Sequence, residues 1–118
     1  MTGSGTLPES RAAPSVSLVI ATYNWTEALA LVFATVRAQH DLPEEVVVAD
    51  DGSRPETAEF VTREAKTFPV PLRHIWHEDT GFRLATIRNK AMAAAGADYI
   101  VQVDGDLLLH SAFIESHR

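Results

Sequence analysis

This sequence predicts an α/β fold with a mostly parallel sheet and helices on both faces. Three observations carry that expectation. Short, β-branched apolar runs recur along the chain, segments with helical apolar spacing separate them, and polar clusters stand where the runs end. Runs that are apolar at nearly every position suit strands buried on both faces, as in a parallel sheet covered by crossover helices.

Ser15-Val16-Ser17-Leu18-Val19-Ile20-Ala21 is the first such run, and it stops at Thr22-Tyr23-Asn24. From Thr26 onward, Leu29, Val32, Phe33 and Val36 recur at helical spacing, with Asn24 or Thr26 placed to cap the helix by accepting backbone N–H bonds. Glu45-Val46-Val47-Val48-Ala49 reads as a second strand and Asp50-Asp51-Gly52-Ser53 as a turn. Pro55 then sits in the first turn of a second helix, where a missing N–H is tolerated. Phe60, Val61, Ala65 and Phe68 supply that helix's apolar face. Leu72-Arg73-His74-Ile75-Trp76 is a third strand. Residues 84–95 form a third helix with Ile87, Ala91 and Ala94 inward, ended by Gly96 as a C-cap. Asp98-Tyr99-Ile100-Val101-Gln102-Val103 is the last strand, running straight into Asp104-Gly105-Asp106.

A chain of 118 residues, 46% hydrophobic, has the size and apolar content of one domain. We assign residues 15–118 to it and residues 1–14, rich in Gly, Ser, Thr and Pro, to a flexible tail. The 10 basic and 16 acidic side chains leave a formal charge of −6, which opposes non-specific attraction to nucleic acid. An anionic ligand would therefore need placed cations or a bound metal. Without cysteine there are no disulfides, thiolate metal sites or thiol nucleophiles, so a metal must be held by oxygen or imidazole. The N-terminus lacks the apolar core of a signal peptide and no run reaches roughly 18 apolar residues, so the expected location is cytoplasmic.

In open parallel sheets, ligands bind at the carboxyl ends of the strands near the topological switch point. The fold should therefore gather Thr22-Tyr23-Asn24, Asp50-Asp51-Gly52-Ser53 and Asp104-Gly105-Asp106 at one edge. Two carboxylates flanking a glycine suit a hard divalent cation, Mn²⁺ or Mg²⁺, which prefers oxygen ligands and completes its shell with substrate phosphates. Asp50 can simply cap the helix that starts near Pro55. Asp51 either shares that solvated turn or accepts hydrogen bonds from a nucleobase edge or ribose, with Tyr23 able to stack on the same base. His110, four residues past Asp106, is a weaker candidate to approach the metal. His74, His77, Glu78 and Asp79 read as solvated charge. Asn24-Trp25-Thr26 matches a glycosylation acceptor but falls inside the expected pocket, which discounts it.

Taken together, Val19-Ile20-Ala21-Thr22-Tyr23-Asn24, Val47-Val48-Ala49-Asp50-Asp51-Gly52-Ser53, Arg88-Asn89-Lys90-Ala91 and Val103-Asp104-Gly105-Asp106 resemble the ordered signature of family 2 glycosyltransferases. The resemblance runs from about Ser15 to Ile114 and implies the N-terminal, nucleotide-sugar-binding half of a GT-A, Rossmann-like fold. By position it implies that Ala21, Thr22 and Tyr23 line a uracil-type base pocket and that Asp51 bonds the base. Asp104 would meet the ribose or a metal-bound water, and Asp106 would ligate the metal bridging the diphosphate. Arg83 and Arg88 are the cations a diphosphate needs, unless Arg88 forms a structural ion pair with a strand-end aspartate. Many members have Pro where this chain has Ala21, which loosens the first turn but removes no chemistry. The segment from Gly81 to Ala91 is similar to members that build chondroitin-type or capsular polysaccharides.

The implied chemistry is inverting transfer of a hexose or N-acetylhexosamine from a nucleotide diphosphate sugar, such as a UDP-sugar, to a saccharide acceptor. No general base is identifiable, because in the family that base and the acceptor surface follow the Asp-x-Asp strand. The chain therefore reads as truncated. The expected consequences are poor transfer by the chain alone and self-association through an open sheet edge or uncovered apolar face. A non-catalytic nucleotide-binding fragment or scaffold is the alternative. A phosphoacceptor receiver domain is remote, since the acidic pair follows the second strand rather than the first and no Lys follows Asp106. A dinucleotide-binding oxidoreductase would need a Gly-x-Gly-x-x-Gly turn after the first strand, where Thr22-Tyr23-Asn24 stands.

Overall fold

A computed structural model describes residues 14–78, 84–105 and 107–118. Chain order is β1 (Val16–Thr22), α1 (Thr26–Arg37), β2 (Glu45–Asp50), α2 (Pro55–Ala65), β3 (Leu72–Trp76), α3 (Leu84–Ala94), β4 (Tyr99–Asp104) and a short α4 (Phe113–His117). The four strands form one sheet in the order β3-β2-β1-β4, and every pairing is parallel. β1 is central and buried at all seven positions, as its uninterrupted apolar run requires.

Alternate residues of the strands feed two cores. On one face Leu18, Ile20, Val46, Val48, Val101 and Val103 pack against Leu29, Val32, Phe33 and Val36 of α1, Val61 of α2 and Ile114 of α4. On the other, Val19, Val47 and Ala49 pack against Ile87 and Ala91 of α3. The result is the expected three-layer arrangement, with helices on both faces of the sheet. Ala65 departs from the expected α2 face and is exposed, while Thr57 is buried beside Val61 on that helix.

Local bonds differ from the sequence reading at the helix starts. Trp25 is the N-cap of α1, and neither Asn24 nor Thr26 caps it through a side chain. Asn24 adopts φ 48°, a left-handed conformation that Asn tolerates, and turns its side chain toward the neighbouring loop. There its Oδ1 accepts the Arg54 N–H at 2.7 Å, and its own N–H donates to Ser53 Oγ at 2.7 Å. Trp76 Nε1 of β3 donates to Ser53 O at 3.0 Å, so the loops following β1 and β2 are tied to each other and to β3. Gly96 keeps an ordinary backbone conformation, and its N–H donates to Glu45 Oε2 at 2.7 Å rather than closing α3.

At the opposite edge of the sheet, Glu45 also accepts from Ser17 Oγ and Arg73, while Glu44 accepts the Val16 N–H and pairs with Arg118. Burial pushes both carboxyls up, but these donors outweigh it and hold each below its ordinary value. Burial likewise pulls Arg118 down, and its pairs with Glu44 and Asp41 more than reverse that. No helix among the described residues is long and apolar enough to cross a membrane.

Candidate functional site

Sheet order explains how clusters far apart in sequence meet. The chain proceeds outward from β1 to β2 and β3, then crosses back to place β4 on the other side of β1. The switch point therefore lies between β1 and β4. The register sets Ala21 beside Ala49 on one side and Asp104 on the other, Thr22 beside Asp50, and Asp50 beside Trp76. Asp51, just past the end of β2, and Asp104, the last residue of β4, thus lie at the ends of strands that flank β1, two strand spacings or about 10 Å apart. That span suits an extended ligand laid across Thr22 rather than a single small ion.

The two adjacent aspartates have separate surroundings. Asp50 is fully buried: its Oδ1 accepts the Ser53 N–H at 2.9 Å and its Oδ2 lies 2.7 Å from His74 Nε2. It closes the turn ahead of α2 instead of capping that helix, whose N-cap is Arg54. Asp51 is 6% exposed, its N–H donates to Thr22 O at 3.1 Å, and its Oδ1 lies 2.6 Å from His77 Nε2. The reading of His74 and His77 as solvated charge is corrected here, since His77 is only 7% exposed. The signal lay in the pairing of β3 with β2, which sets the residues ending the third strand beside the acidic turn.

Across the switch point, Arg88 of α3 reaches back to Asp104, with Arg88 Nη2 2.5 Å from Asp104 Oδ1. This is the geometry of the ion-pair alternative. The Asp104 side chain is 65% exposed, while Arg88 Nε is buried with no hydrogen-bond partner among the described residues. Gly105 follows immediately. A Cβ built there would lie 2.5 Å from the Ala21 carbonyl oxygen, so only glycine lets the β4 end pass this close to β1.

Ala21 and Thr22 are buried at the end of β1, and Tyr23 is half exposed beside them. Arg83 and Asp106 lie outside the described residues. Among the described residues, no group of three or more His, Asp or Glu side chains is gathered to hold a metal ion. His110 sits elsewhere: its Nδ1 accepts the Ala112 N–H and its ring packs on Phe113.

A parallel sheet of this order, with acidic residues at its switch-point edge, defines a doubly wound, Rossmann-like α/β protein. The family model described as Glycosyl transferase family 2 matches residues 17–117, and the chain belongs to that family. Over 103 residues it is 32% identical to chondroitin synthase of Escherichia coli, a match covering 86% of this chain and 15% of that protein. Among solved structures, the mannosyltransferase PcManGT of Pyrobaculum calidifontis, in complex with GDP-Man and Mn²⁺, aligns with a TM-score of 0.70 at 31% identity. That alignment covers 80% of this chain and 28% of PcManGT. TarS 1–349 of S. aureus, in complex with UDP-GlcNAc, shares the fold with a TM-score of 0.75 at 23% identity, over 87% of this chain and 30% of TarS. The chain thus spans less than a third of the length of each of these proteins.

Proposed function

We propose that this chain binds the donor in an inverting glycosyl transfer. The ligand is a nucleotide diphosphate sugar, best supported as a UDP-sugar, held through a divalent metal for transfer of a hexose or N-acetylhexosamine to a saccharide acceptor. The observation that carries this reading is the placement of Asp51 and Asp104-Gly105 on either side of Thr22 at the switch point, in a member of family 2. The complexes of PcManGT with GDP-Man and Mn²⁺ and of TarS with UDP-GlcNAc support a nucleotide-sugar ligand on this sheet. The similarity to chondroitin synthase supports a role in polysaccharide synthesis.

In this reading Ala21, Thr22 and Tyr23 form the floor and side of the base pocket, and Asp51 accepts an N–H of the base. A buried carboxylate held in one orientation discriminates well, because a base without that donor forgoes a hydrogen bond to a charged group. Arg88 and, by its place in the family signature, Arg83 would be the cations for the diphosphate. The donor types suit a hard cation: Asp104 offers an exposed carboxylate at the end of β4, and Asp106 follows two residues on in the sequence. Mn²⁺ or Mg²⁺ held by Asp106 and Asp104 would act as a Lewis acid on the departing phosphate oxygens.

Calorimetry with UDP, GDP and their sugar conjugates, with and without Mn²⁺, tests this reading on the parent chain and Asp106→Ala. The expected result is Mn²⁺-dependent binding that Asp106→Ala loses. Metal-independent binding that survives the substitution would sink the site assignment.

A further inference from the structure

His77 follows the last residue of β3, and the register that sets Asp50 beside Trp76 brings it next to Asp51. Its Nε2 lies 2.6 Å from Asp51 Oδ1, with the two side chains 7% and 8% exposed. A carboxylate offers only lone pairs, so the imidazole must donate. The His77 backbone is itself tied to β2 through its N–H and Asp50 O at 3.4 Å. Asp51 is thus gripped at its main chain by Thr22 O and at one carboxylate oxygen by a ring whose own position is set by the sheet.

The neighbouring pair shows that His77 is more than filling. Asp50 and His74 form a similar contact, but Asp50 spends its other oxygen on the Ser53 N–H and serves the turn. Among the described residues, the side-chain bond of His77 is the one to Asp51. Its Nδ1 is buried with no partner among the described residues, although buried polar atoms are normally satisfied.

We propose that His77 is a positioning residue for nucleobase recognition: by donating to Asp51 Oδ1 it fixes the plane in which the carboxylate accepts the base N–H, and so sets selectivity for a base with a donor at that edge. This rests on the reading of Asp51 as the base acceptor. A merely structural His77 would, on removal, lower stability and leave base selectivity untouched.

The test is the ratio of affinities for UDP and 3-methyl-UDP, which differ in the base N–H, measured by calorimetry on the full chain with Mn²⁺. Because both affinities are measured on the same protein, the ratio does not depend on the fraction folded. The parent should prefer UDP by about ten- to a hundredfold, the range of a hydrogen bond to a charged group. His77→Ala should lower that preference to about threefold or less, while His77→Gln, whose amide N–H reaches the Nε2 position, should keep it. His77→Phe keeps the ring and removes the donor, and it should behave as His77→Ala does, serving in its place if the smaller residue prevents folding. Preference retained in His77→Ala or His77→Phe, but lost in Asp51→Ala, which removes the acceptor, overturns the positioning role alone. Preference retained in Asp51→Ala, or absent in the parent, overturns the reading of Asp51 as base acceptor and the role of His77 with it.

Discussion

Replacing Gly105 by alanine probes whether close packing of β4 on β1 builds the site. The added Cβ would lie 2.5 Å from Ala21 O and 3.4 Å from Thr22 Cβ, whereas real Cβ contacts are essentially never under 3.0 Å. The blocking atom is backbone, so no side-chain rotation relieves it. The ends of β1 and β4, which pair at Ala21 and Asp104, must part by about half an ångström. Overpacking of this kind costs about 1–3 kcal/mol. In a domain of this size each kcal/mol lowers the melting midpoint by about 4–8 °C, so Gly105→Ala should melt about 5–20 °C below the parent. The same displacement moves the Asp104 carboxylate, so Mn²⁺-dependent nucleotide affinity should drop by about tenfold, or 1.4 kcal/mol. Gly96→Ala is the control, because a Cβ there meets nothing closer than Glu45 Oε2 at 3.9 Å. Circular-dichroism melts and calorimetry read both effects. A Gly105→Ala chain that melts and binds as the parent does would refute the close approach and its role in the site.

Phe33 is fully buried in the core between the sheet and α1, with its ring 5.8 Å from that of Phe60 and 5.3 Å from that of Phe68. Phe33→Ala should cost about 3–5 kcal/mol by urea denaturation, against about 1 kcal/mol for Phe33→Leu. Glu44 and Glu45 yield a pH prediction. Burial raises both, but the backbone N–H groups of Val16 and Gly96 with Arg118, Arg73 and Ser17 bring them below their ordinary 4.5. Their contribution to stability is therefore complete above about 4.5 and disappears as pH falls through the lowered folded values. Melting midpoints should decline across that acid window, and Glu45→Gln should flatten the decline while melting lower than the parent at neutral pH.

Much of this architecture is legible in the sequence because its causes are local. β1 and β2 are apolar at successive positions, which only a strand covered on both faces requires, and α1 shows helical spacing at four residues that are all fully buried. What stays hidden depends on which strand lies beside which. His77 looks like one of several exposed charges while β3 is considered alone; only the β3-β2 pairing makes it a buried donor to Asp51. Asn24 likewise reads as a helix cap because it precedes α1. Its oxygen instead meets Arg54, thirty residues away, since β1 and β2 end side by side. Arg88 could face a ligand or a strand-end aspartate on sequence grounds alone, and in the fold its side chain meets Asp104.

That pairing bears on how an acidic protein would hold an anionic diphosphate. The chain carries a formal charge of −6, and the switch-point edge itself presents carboxylates at Asp51 and Asp104. Arg88 is a cation at this edge, and part of its charge is already met by Asp104 at 2.5 Å. A diphosphate approaching this edge without a divalent ion would meet the exposed Asp104 carboxylate, which the shared Arg88 guanidinium offsets only in part. With the ion bound, Asp104 would turn from a source of repulsion into a ligand, and Arg88 would gain freedom to face the phosphates. Metal dependence is therefore the sharpest consequence of the proposed site: binding should fall with chelation more steeply than with added salt, because the attraction would come from a coordinated ion rather than from screened surface charge.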